Sequence, residues 1–264
     1  MHFAVAAGSD VGRVRKGNED SFFADANGYR GLFMVADGMG GHAAGEVASQ
    51  MAVEVVSADL EKLNDLESAD ALETVSHALR HANRAVFERS AAERDKMGMG
   101  STASVLVLAD ERFIIGHIGD SRIYLFRDGE LRQVTHDHSV VQEQIDAGII
   151  TRGAAKNHKQ SNVITRCVGM GWDVEPDITD GDVRQGDVFL LASDGLTGMV
   201  DDWRLQQLLS SRATPDRLVD AMISEANARG GVDNITAIVV RVHSSAAMTT
   251  GAHPTPTPGA GSVG

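Results

Sequence analysis

Acidic residues stand at the ends of apolar runs that lie far apart in the chain. Gly31-Leu32-Phe33-Met34-Val35-Ala36-Asp37-Gly38 reads as a buried strand closing on Asp-Gly, and Val188-Phe189-Leu190-Leu191-Ala192-Ser193-Asp194-Gly195 repeats the pattern. A third run, 113–118, leads into Gly119-Asp120-Ser121, and a fourth begins just after Asp233-Asn234. Glu19-Asp20 adjoins another short strand at 21–24. Asp-Gly occurs four times, and turn chemistry accounts for any one of them. The set asks for more, because carboxylates gathered at strand mouths repel one another and hold their protons. A divalent cation resolves that conflict, and all-oxygen donors suit Mg2+ or Mn2+ rather than zinc. Gly38 lets its own carbonyl turn toward such an ion. The basic cluster Arg13, Arg15, Lys16 directly precedes Glu19-Asp20. A guanidinium beside a cation site is a bidentate phosphate clamp; a solvated loop with charge pairs is the alternative.

The elements that must position these groups show two periods. Apolar runs at 3–7, 32–36, 103–108, 113–118, 188–192 and 235–242 predict buried strands. The stretches 123–126 and 131–134 flank Asp128-Gly129, a hairpin signal. Leu72, Val75, Leu79, Ala82 and Val86 form one helical stripe. A second helix spans 45–63, with Val47, Met51, Val55 and Ala58 turned inward. Ser139 begins a third, with Gln142 at capping-box spacing. Two more are expected at 205–209 and 218–226. This order does not alternate strand and helix, so it favours an α+β fold with helices covering antiparallel sheets.

Composition bounds the function. The 264 residues carry a formal charge of −13, which disfavours nucleic acid and demands something cationic before a phosphorylated ligand can bind. A lone cysteine, Cys167, excludes a disulfide framework and a cysteine zinc cluster. No apolar run is long enough for a membrane span, and the stretch 3–8 lacks the basic flank of a signal peptide, so a cytoplasmic protein is expected. Residues 243–264 are rich in Ser, Thr, Gly and Pro; a disordered tail is expected there, with a proline-rich docking segment as the alternative.

Seven segments together resemble the motifs of the PP2C-type (PPM) metal-dependent protein Ser/Thr phosphatases, in their compact bacterial branch. They are Arg15-Lys16-Gly17-Asn18-Glu19-Asp20, Val35-Ala36-Asp37-Gly38-Met39-Gly40-Gly41-His42, Gly100-Ser101-Thr102-Ala103, Gly119-Asp120-Ser121-Arg122, Asp137-His138-Ser139, Ala192-Ser193-Asp194-Gly195-Leu196 and Asp233-Asn234-Ile235-Thr236. The resemblance covers about residues 3–242. It implies a four-layer α-β-β-α sandwich over 1–242, with a flap at about 147–169 bordering the cleft. It also implies two tight Mn2+ or Mg2+ ions. Asp37 would bridge them, with the Gly38 carbonyl, Asp194 and Asp233 as further ligands. Asp20 and Glu19 would act through bound water, and Asp120 with Asp194 would hold a third, weaker ion. A hydroxide between the metals would attack phosphorus, Arg15 would hold the phosphoryl oxygens and His42 would protonate the leaving alkoxide. His42 is alternatively a cap residue at a helix start.

His117, His138 and Cys167 are expected to be structural, Ser101-Thr102 to pack beneath the site, and His158 and Arg166 are candidate substrate contacts. The implied partners are phosphoproteins, a Ser/Thr kinase and its substrates among them, met by a monomer; the acidic excess adds an expected preference for basic flanking residues.

Other chemistries fail on residues. A cysteine phosphatase needs Cys-x5-Arg, but Asp173 stands where the arginine would be. Gly119-Asp120-Ser121-Arg122 lacks the histidine of the Gly-Asp-x-His-Gly metallophosphatases. Asn18 stands where a Walker loop needs lysine. Gly38–Ala43 fits G-x-G-x-x-A, yet its acid, Asp59, falls inside a helical pattern rather than at a second strand end. A non-catalytic module of this fold is disfavoured by the intact acids.

Overall fold

The computed structural model describes residues 1–40, 44–109, 111–155 and 158–243. In chain order the elements are β1 (His2–Asp10), β2 (Asp20–Asn27), β3 (Arg30–Met39), α1 (Ala44–Leu60), α2 (Ala71–Ala92), β4 (Gly100–Ser101), β5 (Ala103–Ala109), β6 (Arg112–Ile118), β7 (Arg122–Arg127), β8 (Glu130–Gln133), α3 (Val140–Asp146), α4 (Arg152–Ala155), β9 (Asp177–Asp182), β10 (Val188–Ala192), α5 (Asp194–Thr197), α6 (Asp202–Leu209), α7 (Pro215–Ala228) and β11 (Ile235–His243).

Among the described residues the strands form two antiparallel sheets, ordered β1-β11-β10-β7-β8 and β2-β3-β5-β6-β9, with β4 added beside β3. Alternation along each central strand explains the stack. Leu32, Met34 and Ala36 of β3 face α1 and α2, while Phe33 and Val35 face the other sheet. Val188, Leu190 and Ala192 of β10 face α6 and α7, while Phe189 and Leu191 return to the centre. The central strands of each sheet are therefore buried on both faces, which is why they read as unbroken apolar runs. The result is helix, sheet, sheet, helix. At Asp128-Gly129 both residues have positive φ, 53° and 87°, as the hairpin signal requires. Ser139 caps α3 by accepting the Gln142 amide at 3.3 Å.

Several expectations shift. The second helix ends at Leu60, not residue 63. Its buried stripe is Ala48, Ala52, Val53, Val56 and Leu60; Val47, Met51 and Val55 only flank the core, and Ala58 is exposed. Small alanines let this helix lie close to the sheet, so the larger side chains move to its sides. Leu72 is exposed, and Ala71 opens the α2 stripe in its place. Strand β9 has no counterpart among the expected strands, because Asp177-Ile178-Thr179-Asp180-Gly181-Asp182 has almost no apolar pattern; it is an edge strand paired to β6 through its backbone. β11 extends through His243, the first residue of the expected tail; residues 244–264 lie outside the described residues.

Candidate functional site

The two sheets bring the strand-end acids to one cleft. Asp37 lies on β3 directly opposite Asp20 on β2. Asp120 follows β6, Asp194 follows β10, and Asp233 precedes β11. Asp37, Asp120, Asp194 and Asp233 line a hollow of about 420 Å3 together with Arg15, Glu19 and Gly38. Seven of the expected site residues are thus neighbours, and Asp20 stands behind them. His42 lies outside the described residues.

Like charges this close, largely out of water, keep their protons. Burial, then Asp194 and Asp20, raises the Asp37 carboxyl well above the usual range. Burial pushes Asp20 up to about 7 and Asp120 up to about 8. Asp194 is raised by burial and by Asp233. Glu19 is raised by burial, against the pull of Arg15. Arg15 donates Nη2 to Asp233 Oδ2 at 2.7 Å, stays half-exposed and lines the same hollow.

A shell of small polar groups orients these acids. Ser193 and Thr236 hydroxyls donate to Asp20 Oδ2 at 2.8 and 2.6 Å. Thr102 accepts the Asp37 amide at 2.8 Å, and Ser101 donates to the Asp37 carbonyl at 3.0 Å, beneath the site as expected. Asn234 straps the N-terminal loop to β11: its Nδ2 donates to the Val11 and Gly17 carbonyls, and its Oδ1 accepts the Glu19 amide. Ser193, Asn234 and Thr236 were visible only as motif neighbours of acids. Arg122, a motif residue with no expected role, clamps buried Asp137 with three contacts of 2.6–3.0 Å beside Asp120.

Both histidines expected to be structural are buried. His117 Nε2 meets the His136 carbonyl at 3.0 Å, so it carries the proton, and burial depresses this imidazole to about 4. His138 Nδ1 accepts the Gly119 amide at 3.0 Å. Burial raises the Cys167 thiol to about 11, so it is inert. Arg166 is tied to Asp177 at 2.7 Å, and His158 Nδ1 accepts the Gln160 amide; neither lines the cleft.

The donor set fits a divalent metal. Asp20, Asp120 and Asp194 each hold one buried carboxylate oxygen without a partner, and such orphans are costly unless something cationic meets them. Among the described residues no three acids or histidines converge tightly enough to hold an ion alone. Such a set suits a water-retaining ion such as Mg2+, which takes only part of its shell from carboxylates. Close approach explains the glycines. A Cβ on Gly38 would lie 2.1 Å from the Gly45 carbonyl oxygen, and one on Gly195 would lie 1.9 Å from that of Asn234. Gly129, in the hairpin, has nothing within 4 Å.

The protein phosphatase 2C family model matches residues 8–238. The chain belongs to that family. It is a metal-dependent protein serine/threonine phosphatase, served by manganese or magnesium. Over 234 residues it is 38% identical to the serine/threonine phosphatase stp of Listeria monocytogenes, covering 88% of this chain and 93% of that one. The crystal structure of the Mycobacterium tuberculosis serine/threonine phosphatase PstP/Ppp superposes with a TM-score of 0.84 at 40% identity, over 92% of this chain and all of that one. The PstP catalytic domain in complex with two manganese ions gives 0.82 at 39% identity, over 92% and 99% of the two chains. No described helix is long and apolar enough to cross a membrane.

Proposed function

We propose that Asp37, Asp194 and Asp233, with the Gly38 carbonyl, hold two Mn2+ or Mg2+ ions, and that Asp20 and Glu19 steady them through water. Asp120 with Asp194 holds a third, weaker ion. When bound, such ions supply Lewis acidity and activate water near neutral pH. The observation that carries this reading is the gathering of buried carboxylates with unpartnered oxygens beside a half-exposed arginine. Arg15 binds the phosphoryl oxygens, its pairing with Asp233 fixing the direction of the remaining donors. Ser193 and Thr236 keep Asp20 aimed at the cleft, and Asn234 keeps the Arg15 loop seated over it. His42 supplies the leaving-group proton. The substrates are phosphoserine and phosphothreonine on a kinase and its targets in the cytoplasm, approached by a monomer whose domain spans 1–242 and does not need the tail.

The test is Mn2+-dependent turnover of phosphopeptides and an aryl phosphate. Asp37→Asn and Asp194→Asn each lose at least about a hundred-fold in kcat with an unchanged circular dichroism spectrum. Near-normal turnover of either at saturating Mn2+ overturns the metal assignment. In the same assay His42→Ala loses more on phosphopeptides than on aryl phosphates, whose leaving groups need less protonation.

A further inference from the structure

The cleft continues into a second hollow of about 500 Å3, which shares Asp120, Asn162, Asp194 and Asp233 with it. One wall is the flap, with Arg152, Ala155 and Ser161; the other is the first turn of α6 and the turn before it, with Met199, Asp202 and Trp203. Trp203 keeps 63% of its surface exposed and Val232, on the same lining, 49%. An indole left this open at the edge of a groove that runs into the reactive cleft is an unused contact surface.

The groove is also acidic. Six aspartates line it against two arginines. With the three shared with the cleft set aside, Asp137 is matched by Arg122. Asp201 and Asp202 remain at the α6 end beside Trp203, with Arg152 on the flap wall. Asp201 lies 3.9 Å from Arg229. Asp202 uses Oδ1 to accept the Tyr124 hydroxyl at 3.0 Å, so its position is braced from below.

We propose that this groove binds the segment next to the phosphorylated residue and selects an arginine there, its guanidinium stacked on Trp203 and its charge turned to Asp202. The proposal rests on the phosphatase reading, because the groove is a substrate site only when a phosphoresidue occupies the cleft. It gives the excess of acid a place: selection acts beside one tryptophan rather than over the whole surface.

The experiment measures kcat/KM for phosphopeptides in which a single arginine or glutamate is walked across about four residues on either side of the phosphoserine, with an aryl phosphate run alongside. At one or two positions arginine exceeds glutamate by about five-fold or more, chiefly through KM. Trp203→Ala and Asp202→Asn each pull that ratio toward one; asparagine keeps the oxygen that Tyr124 needs. A ratio of one at every position, with the aryl phosphate turned over normally, overturns the proposal. So does a ratio that survives both substitutions. Failure to hydrolyse the aryl phosphate as well overturns the phosphatase reading, and the groove with it.

Discussion

Gly38 shows how little room the site leaves. Its missing side chain lets the end of β3 lie against the Gly45 carbonyl at the start of α1 and against the Glu19 carbonyl at the start of β2. The Gly38 amide donates to that same Glu19 carbonyl at 3.1 Å. Gly38→Ala must push the two backbones apart. We expect a loss of about 1–3 kcal/mol in urea unfolding. Turnover falls further than that destabilisation implies, because Asp37 and Glu19 move with the backbone. Unaltered kcat in a folded Gly38→Ala protein would show that this contact does not set the geometry. At this scale the sequence was only partly legible. Asp37-Gly38, Asp194-Gly195 and Asp128-Gly129 are the same dipeptide; the short flanking strands mark the third as a hairpin, but no local pattern shows what the first two glycines pack against. The first two abut a backbone carbonyl from elsewhere in the chain, whereas the third turns in open space.

Strand β6 carries the element-scale test. His117 is buried and neutral, its Nε2–H held by the His136 carbonyl and its Nδ1 facing the Ser104 hydroxyl at 2.8 Å. Its folded value of about 4 lies below the ordinary 6.5, so the folded state binds fewer protons than the unfolded chain. The contribution is present above about pH 6.5 and is lost as pH falls toward 4. Between pH 7 and 5 this group alone costs about 2 kcal/mol. Replacing it by glutamine, which keeps polar atoms and does not titrate, should flatten the pH dependence of the urea midpoint over that interval; an equal slope in both proteins refutes the assignment. Elements with a strong apolar period, such as β3, β10 and α7, were readable. β9 was not, because its acids answer to Arg112 across the sheet rather than to a pattern of its own.

The acidic excess of the whole molecule makes its stability depend on pH and on metal. Asp20, Asp37, Asp120 and Asp194 all hold protons more tightly folded than unfolded. Their contribution is fully present below the unfolded value of 3.8 and is lost as pH rises through the folded values, about 7 for Asp20 and about 8 for Asp120. In EDTA, Tm should therefore drop between pH 6 and pH 8.5, by about several degrees. Saturating Mn2+ should remove most of that drop by binding the folded state. Asp37→Asn relieves the repulsion, so its metal-free Tm should exceed that of the parent at pH 8 while its Mn2+ response shrinks. A flat metal-free profile, measured by scanning fluorimetry, would contradict the clustering of charge.

Local chemistry in the sequence determined which residues were available: acids at strand ends, a basic loop ahead of them, and runs apolar enough to be buried on both faces. Those signals are short-range, so they survive in a string of letters. Only the tertiary structure decided which acids meet. Antiparallel register sets Asp20 opposite Asp37, and stacking the β10–β11 sheet on the β3–β5 sheet brings Asp194 and Asp233 to the same mouth. It also decided that Trp203 borders a groove running into that mouth. Convergence depends on register and sheet packing over more than 200 residues of separation, as between Arg15 and Asp233, and no local pattern encodes that distance.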